Sequence, residues 1–138
     1  MGQQQLLLII LGVIVVGIAV AVGITMFSDS AISANRDALT NDLVNLASRA
    51  QQFYRRPTSL GGGGNSFTLL TADATGLKRL TNNATNANGT YTIFTAGSGT
   101  GTSATVVLNG VGTEMYNGAL VQVRVQVWPD RDSIWVVN

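Results

Sequence analysis

The sequence contains no cysteine and no histidine. Without cysteine it has no disulfide framework, no thiolate nucleophile and no thiolate metal site. Without histidine it lacks the commonest general base. Carboxylates, hydroxyls, amides and arginines remain, but no nucleophile and base are recognisable as a pair. The composition therefore predicts a protein that is not an enzyme and that uses no cofactor or metal.

Charged residues are also scarce. Eight Lys and Arg stand against seven Asp and Glu among 138 residues, and none of them precedes Asp29. Nucleic-acid binding needs a basic stripe, which a net charge of +1 does not supply. A chain of this length has room for one small domain plus a separate element. Nucleic acid is therefore not expected as a primary partner.

One long apolar run, residues 6–27, contains neither charge nor proline. At about 1.5 Å per residue, a helix of this length spans a hydrocarbon core. A secretory signal would need basic residues before a shorter run, and a buried helix of a soluble protein would need more chain to cover it. We predict a membrane helix, with the candidate residues Gln5, Leu6, Leu7, Leu8, Ile9, Ile10, Leu11, Val13, Ile14, Val15, Val16, Gly17, Ile18, Ala21, Val22, Ile24 and Phe27.

Beyond residue 27 the helical pattern continues as a single apolar stripe. Ile32, Leu39, Leu43, Leu46 and Phe53 recur at helical spacing among polar residues. We predict one helix over about residues 3–54, with an apolar half (1–27) and an amphipathic half (28–56). The proline and four glycines within residues 57–66 predict the end of the helix and a linker. A phosphate-binding glycine loop is disfavoured, because no Lys-Ser or Lys-Thr follows.

Residues 67–138 favour β-structure and form the predicted head. Segments 91–95, 104–108, 120–127 and 133–137 are rich in β-branched and aromatic residues, and the third alternates valine with polar residues. A small sheet needs cover on its apolar face. We therefore predict an α+β fold in which about four antiparallel strands pack on the second half of the helix, through Ile32, Leu39, Leu43, Leu46, Phe53, Val121, Val123, Val125 and Val127.

This plan resembles the type IV pilin family, which includes pseudopilins and the related archaeal filament subunits. The specific part of the resemblance is the N-terminal GQQQLLLIILGVIVVGIAVAVGI. It implies a single-pass precursor in the cytoplasmic membrane that a prepilin peptidase and a membrane assembly machinery convert into an extracellular homopolymer. The resemblance implies that this homopolymer is held together by the membrane-helix residues named above, and that the chain is the major pilin of a filament for adhesion or surface motility. A pseudopilin or minor pilin of a secretion system is one alternative. A membrane-anchored binding domain is another.

Two positions depart from the family pattern. Gln5 stands where these pilins usually carry a Glu, if Met1 is the mature start, and Val22 stands where a helix-breaking proline is usual. An amide can accept and donate hydrogen bonds but cannot neutralise an amine. We expect a polar ring of glutamines in place of a salt bridge, and a continuous helix closer to the archaeal filaments. Met1 either follows a removed leader or belongs to an unclipped form.

The head also carries candidate modification sites. Asn83 and Asn88 fit the N-glycosylation pattern, and Ser98, Thr100, Thr102 and Ser103 are candidates for O-linked sugars. Asp130 and Asp132 have the alternate spacing of hard-cation ligands, although a turn is the favoured interpretation there.

Overall fold

The helix α1 runs without interruption from Gly2 to Arg55 in the computed structural model, which describes residues 2–138. Its 54 residues make a rod roughly 80 Å long at about 1.5 Å per residue. The predicted long N-terminal helix is confirmed. It ends two residues before Pro57, since a proline disfavours the helical conformation of the residue that precedes it.

Four antiparallel strands follow in chain order and form one sheet, β1-β2-β3-β4. They are β1 (Gly89–Ser98), β2 (Thr105–Tyr116), β3 (Ala119–Val127) and β4 (Asp132–Val136). The sheet packs on the second half of α1, mainly through β2 and β3. The predicted α+β architecture is thereby confirmed.

Strand β2 is longer than the sequence indicates, because it continues through the glycines of its second half. A Cβ atom on Gly112 would lie 1.9 Å from Oδ1 of Asn35, and one on Gly110 would lie 3.1 Å from the Tyr91 ring. Glycine lets the strand approach the helix this closely. The strand then turns at Asn117 and Gly118, whose φ angles of 49° and 81° suit a two-residue hairpin loop.

The glycine-rich segment 57–66, predicted as a linker, folds back onto the end of α1. The backbone N–H groups of Gly63 and Asn65 donate to the carbonyls of Phe53 and Tyr54, each at 2.8 Å. A Cβ atom on Gly63 would lie 2.0 Å from the Ser66 carbonyl oxygen. These bonds satisfy carbonyl groups that a helix end leaves without partners. The segment is therefore a cap for the helix as well as a connection.

Between this cap and β1 lies a short helix, α2 (Ala74–Lys78), which the sequence did not suggest. Asp73 caps its N-terminus by accepting a hydrogen bond from the Gly76 N–H at 2.9 Å. The pKa of Asp73 is lowered by hydrogen bonds from the Thr71 hydroxyl and the Gly76 N–H. Phe67, Leu70, Leu77 and Leu80 of this region are buried and extend the core.

Candidate functional site

The first half of α1 presents an apolar surface that the rest of the chain does not cover. Every residue of positions 2–30 is exposed, and the exposed fraction reaches 68% at Leu8 and 82% at Phe27. All the residues proposed above for membrane insertion and polymerisation lie on this segment, on every side of the helix. Soluble monomers rarely expose apolar patches beyond a few hundred Å². This surface therefore needs a non-aqueous environment or partners of similar chemistry.

This part of α1 is compatible with hydrocarbon. Among residues 2–138, α1 is the one helix long and apolar enough to cross a membrane. Its backbone groups bond within the helix, as a membrane span requires. The hydroxyl of Thr25 donates to the Val22 carbonyl at 2.8 Å, so this polar group is also satisfied inside the helix. The segment thus has transmembrane character by length and composition.

Glycines in the apolar segment make no break in the helix. Cβ atoms built on Gly12, Gly17 and Gly23 would meet nothing within 4 Å. These positions are notches on the helix surface, and Gly17 with Ala21 has the small-xxx-small spacing that allows close approach of a second helix. They leave room for a neighbouring apolar helix without requiring one.

The second half of α1 is buried against the head, beginning two residues after the exposed segment ends. Ile32 is the first of the buried apolar residues, and Leu39 and Leu43 have no exposed surface. They pack with the inner face of the sheet. The predicted packing residues Ile32, Leu39, Leu43, Leu46, Phe53, Val121, Val123, Val125 and Val127 all lie in one core cluster. The stripe and the alternating valines thus meet at a single interface.

One buried polar residue, Asn35, lies within this apolar stripe. Its Nδ2 donates to the Asn88 carbonyl at 2.9 Å, and its Oδ1 accepts from the Thr113 N–H at 3.2 Å. The pairing of β2 with β3 shifts register between Val111 and Met115, which takes the Thr113 N–H out of the regular ladder. Asn35 therefore pairs the bulged strand with the helix. A lone asparagine on an apolar stripe is the sequence signal for such a role, but the sequence-based prediction assigned no contact to Asn35.

Asp42 holds the loop before β1 against the helix. Its Oδ2 accepts hydrogen bonds from Asn86 at 2.9 Å, from Asn88 at 2.8 Å and from the Tyr91 hydroxyl. Burial acts to raise the pKa of Asp42, but the bonds from Asn88, Tyr91 and Asn86 together hold it below its usual value. Burial and the neighbouring Asp42 carboxylate raise the pKa of Tyr91. No local pattern identifies these partners, because they lie more than 40 positions away from Asp42.

The two candidate N-glycosylation sites have different surroundings. Asn83 is exposed, whereas Asn88 is half-buried and its side-chain amide donates to Asp42. A sugar on Asn88 would therefore have to share the nitrogen that anchors the loop. Ser98, Thr100, Thr102 and Ser103 are all exposed at the turn between β1 and β2.

Asp130 and Asp132, the residues considered for a cation site, are not joined by a third acidic side chain of the described residues. Among residues 2–138, no group of three or more acidic side chains could hold a metal ion. Asp130 and Asp132 lie in and after the turn that joins β3 to β4, and Asp73 caps α2. The turn interpretation of 129–132 agrees with this placement.

Comparison of the chain with known protein families, with curated proteins and with solved structures found no match. Its arrangement is nonetheless plain: a long apolar N-terminal helix, exposed over its first half, carries a four-stranded antiparallel sheet on its second half. This arrangement is consistent with a pilin-like fold, in a chain whose N-terminal helix has membrane-spanning character.

Proposed function

We propose that this chain is the major structural subunit of an extracellular type IV pilus-like filament, polymerised through the apolar half of α1. The filament serves adhesion or surface motility. In this proposal the helix lies first in the cytoplasmic membrane as a single-pass anchor and then in the filament core. The protein's partners are further copies of itself, the membrane assembly machinery and a prepilin peptidase, and the protein is not an enzyme.

The observation that supports the proposal most is the division of α1 into two environments. Residues 2–30 are exposed on every side, whereas from Ile32 the same unbroken helix enters the core of the head. A simple anchor needs only to end at the membrane surface. A rod that continues into a compact head is the shape that lets many heads surround a bundle of apolar helices.

The exchange between membrane and bundle is energetically feasible. Leu, Ile and Val side chains meet similar surroundings in lipid tails and among neighbouring apolar helices, so hydrophobic burial changes little between the two. Close packing at the notches of Gly12, Gly17 and Gly23 would supply the contacts that favour the bundle.

Electron microscopy of material sheared from cells, with identification of the filament protein by mass spectrometry, tests the proposal. We expect filaments composed mainly of this chain, and their loss when the gene is deleted. Unchanged filaments in the deletion strain would contradict the proposal. Short or rare filaments that contain the chain only as a minor component would indicate a pseudopilin or minor pilin, and a chain found only in the membrane would indicate an anchored binding domain.

A substitution at Gln5 tests the polar ring. Glu at this position replaces a neutral amide with a carboxylate, which the proposed bundle would bury. We expect Gln5→Glu to reduce the yield of sheared filaments, and Gln5→Asn, which keeps the amide, to reduce it less. Normal assembly of Gln5→Glu would show that the position tolerates a charge and would contradict the ring.

A further inference from the structure

The face of the sheet that points away from α1 carries one row of side chains drawn from all four strands. In the strand pairing, Thr92 of β1 lies opposite Asn109 of β2, Asn109 opposite Arg124 of β3, and Arg124 opposite Trp135 of β4. The neighbours of Arg124 along β3, Val123 and Val125, point inward and are fully buried. The row therefore crosses the middle of the outer face.

Arg124 is held in place from two sides. Its guanidinium carbon lies 3.6 Å from the centroid of the Phe94 ring, and its Nε donates to Oδ1 of the buried Asn109 at 3.2 Å. Phe94 is the additional residue at a register shift between β1 and β2. Stacking and the Nε bond fix the plane of the guanidinium, so less conformational entropy is lost when a ligand binds. The Nη groups remain as donors at its outer end.

Two aromatic side chains on this face are open to solvent. Phe94 is 53% exposed and Trp135 is 39% exposed, and these rings lie on strands at opposite sides of Arg124. Exposed rings on two sides of a fixed cation form a platform with one charge between them. An exposed aromatic face can stack on the apolar C–H face of a sugar ring.

The charge and polarity of the face select the ligand. Arg124 is the one charged residue among its outward-facing neighbours in the register, which are otherwise Thr90, Thr92, Val107, Asn109, Val111, Gln122, Gln126, Ser133 and Trp135. A guanidinium binds a carboxylate through two parallel hydrogen bonds. Amides and hydroxyls suit the hydroxyl groups of a sugar. Nucleic acid, by contrast, requires several cations along its backbone, and this face has one.

We propose that this outer sheet face binds acidic polysaccharide, with the carboxylate of a uronic acid on Arg124 and a sugar ring stacked on Trp135. Gln122 and Gln126 flank Arg124 on the same face of β3 and are the nearest amides for the sugar hydroxyls. The site lies on the head alone. It therefore does not depend on the filament, and dispersed chains should bind the sugar whether or not they polymerise.

Titration of the full chain, dispersed in an uncharged polyoxyethylene detergent, tests the site by calorimetry. The probe is a short galacturonate oligomer, and the matched ligand is a galactose oligomer of the same length and linkage, which has an uncharged hydroxymethyl group in place of each carboxylate. We expect binding of the acidic oligomer and an affinity lower by at least about tenfold for the neutral one. Equal affinities would overturn the proposal, as would no binding of the acidic oligomer.

Variants separate this site from general charge attraction. Arg124→Gln removes the charge, and Trp135→Leu removes the ring at an exposed position. Each should weaken galacturonate binding by at least about tenfold. Trp135→Leu should leave the unfolding temperature near that of the unchanged chain, whereas Arg124→Gln should lower it, because it also removes the hydrogen bond to the buried Asn109. Arg131→Gln is the matched control, because Arg131 also lies over an aromatic ring, 4.8 Å from that of Trp128, but outside the row. It should change the affinity by less than about twofold.

A loss as large in Arg131→Gln as in Arg124→Gln would overturn the proposal. A single-stranded DNA oligomer that binds more tightly than galacturonate would also overturn it and identify a nucleic-acid surface. If Arg124→Gln unfolds, the galacturonate affinity of Trp135→Leu alone tests the proposal, because the Trp135 side chain is not part of the core and its replacement should leave the head folded.

Discussion

Asn35 and Asp42, two polar side chains of α1, join the helix to parts of the head that are distant in sequence. Asn35 contacts backbone groups on the loop before β1 and on the bulge of β2, and Asp42 gathers Asn86, Asn88 and Tyr91. Apolar packing favours burial but is not directional. Hydrogen bonds of fixed geometry therefore specify the position at which the sheet rests along the helix.

Replacement of Asn35 by Ala should destabilise the head by about 1–3 kcal/mol, because the Thr113 N–H and the Asn88 carbonyl would lose their buried partner. The measurement is the free energy of unfolding in detergent, followed by circular dichroism. Asn45→Ala is the control on the same helix, since the Asn45 Nδ2 donates to the Asn41 carbonyl at an exposed position one turn earlier. It should change the free energy by less than about 0.5 kcal/mol. Equal losses would contradict the role given to Asn35.

The stability of the head should fall at acidic pH, in part through Asp42. Its folded-state pKa lies below the ordinary value of 3.8, so the unfolded chain binds more protons and the free energy of unfolding rises with pH in this range. The contribution is complete above pH 3.8 and is lost as the pH falls through the lower folded-state pKa. The pKa of Asp73 is also lowered, so its ionisation likewise makes the free energy of unfolding rise with pH.

Asp42→Asn should therefore flatten, but not abolish, the loss of unfolding free energy on acidification. Chemical denaturation at a series of pH values measures this. Asp37→Asn, at an exposed position of the same helix, serves as the control and should leave the profile unchanged. A profile of Asp42→Asn that matches the unchanged chain would show that the carboxylate does not link pH to stability.

At the scale of elements, the sequence predicted what depends on periodicity and missed what depends on distant contacts. The stripe from Ile32 and the alternation of β3 are local patterns, and each forms the predicted element. The second half of β2 has a low strand propensity because of Gly110 and Gly112. It is a strand because it pairs with β1 and β3, and it carries glycine because Asn35 and Tyr91 occupy the space that side chains there would need.

The site was predictable to a similar degree. Absence of charge and proline identified the apolar half of α1, because the length and hydropathy that suit a membrane span can be counted along the sequence. The platform around Arg124 could not be foreseen. The residues of this platform come from different strands, which become neighbours only through the strand pairing. The Phe94 ring contacts Arg124 because of a register shift, and no residue type in the sequence predicts that shift.

A charge in the apolar half of α1 should prevent its insertion. Val16→Arg places an arginine near the middle of the segment, at a cost of about 2.5–3.5 kcal/mol in membrane insertion. We expect less chain in the membrane fraction after carbonate washing and, under the proposed function, fewer filaments. Val44→Arg is the control, because Val44 is 42% exposed on the half of α1 that carries the head. Equal losses for both variants would indicate misfolding in place of failed insertion.

At the scale of the whole molecule, the two halves of one helix lie in different environments. Its second half contributes Leu39, Leu43, Leu46 and Phe53 to the same core as the valines of β3. The head is thus incomplete without this part of the helix, whereas the first half adds nothing to the core. Folding of the head and burial of the apolar segment are therefore separable.

A chain limited to residues 28–138 should fold as a water-soluble protein, because it keeps every buried residue of the core. We expect a cooperative thermal transition and a circular dichroism spectrum with strand and helix contributions. A chain limited to residues 57–138 is the matched comparison and should not fold, since the inner valines of β3 would then be exposed. A cooperative transition in the shorter chain would contradict the dependence on α1.

The unbroken course of α1 also has a mechanical consequence. A helix with a turn or proline between its halves could lengthen under load by straightening there, whereas α1 passes from Phe27 to Ile32 without such a weak point. Extension of the rod would require the rupture of successive backbone hydrogen bonds. In an array of such rods, a pulling force would be borne first by the contacts between molecules. The elasticity of the array would then reside in the sliding of neighbouring helices, and the apolar side chains of residues 6–27 would set its stiffness.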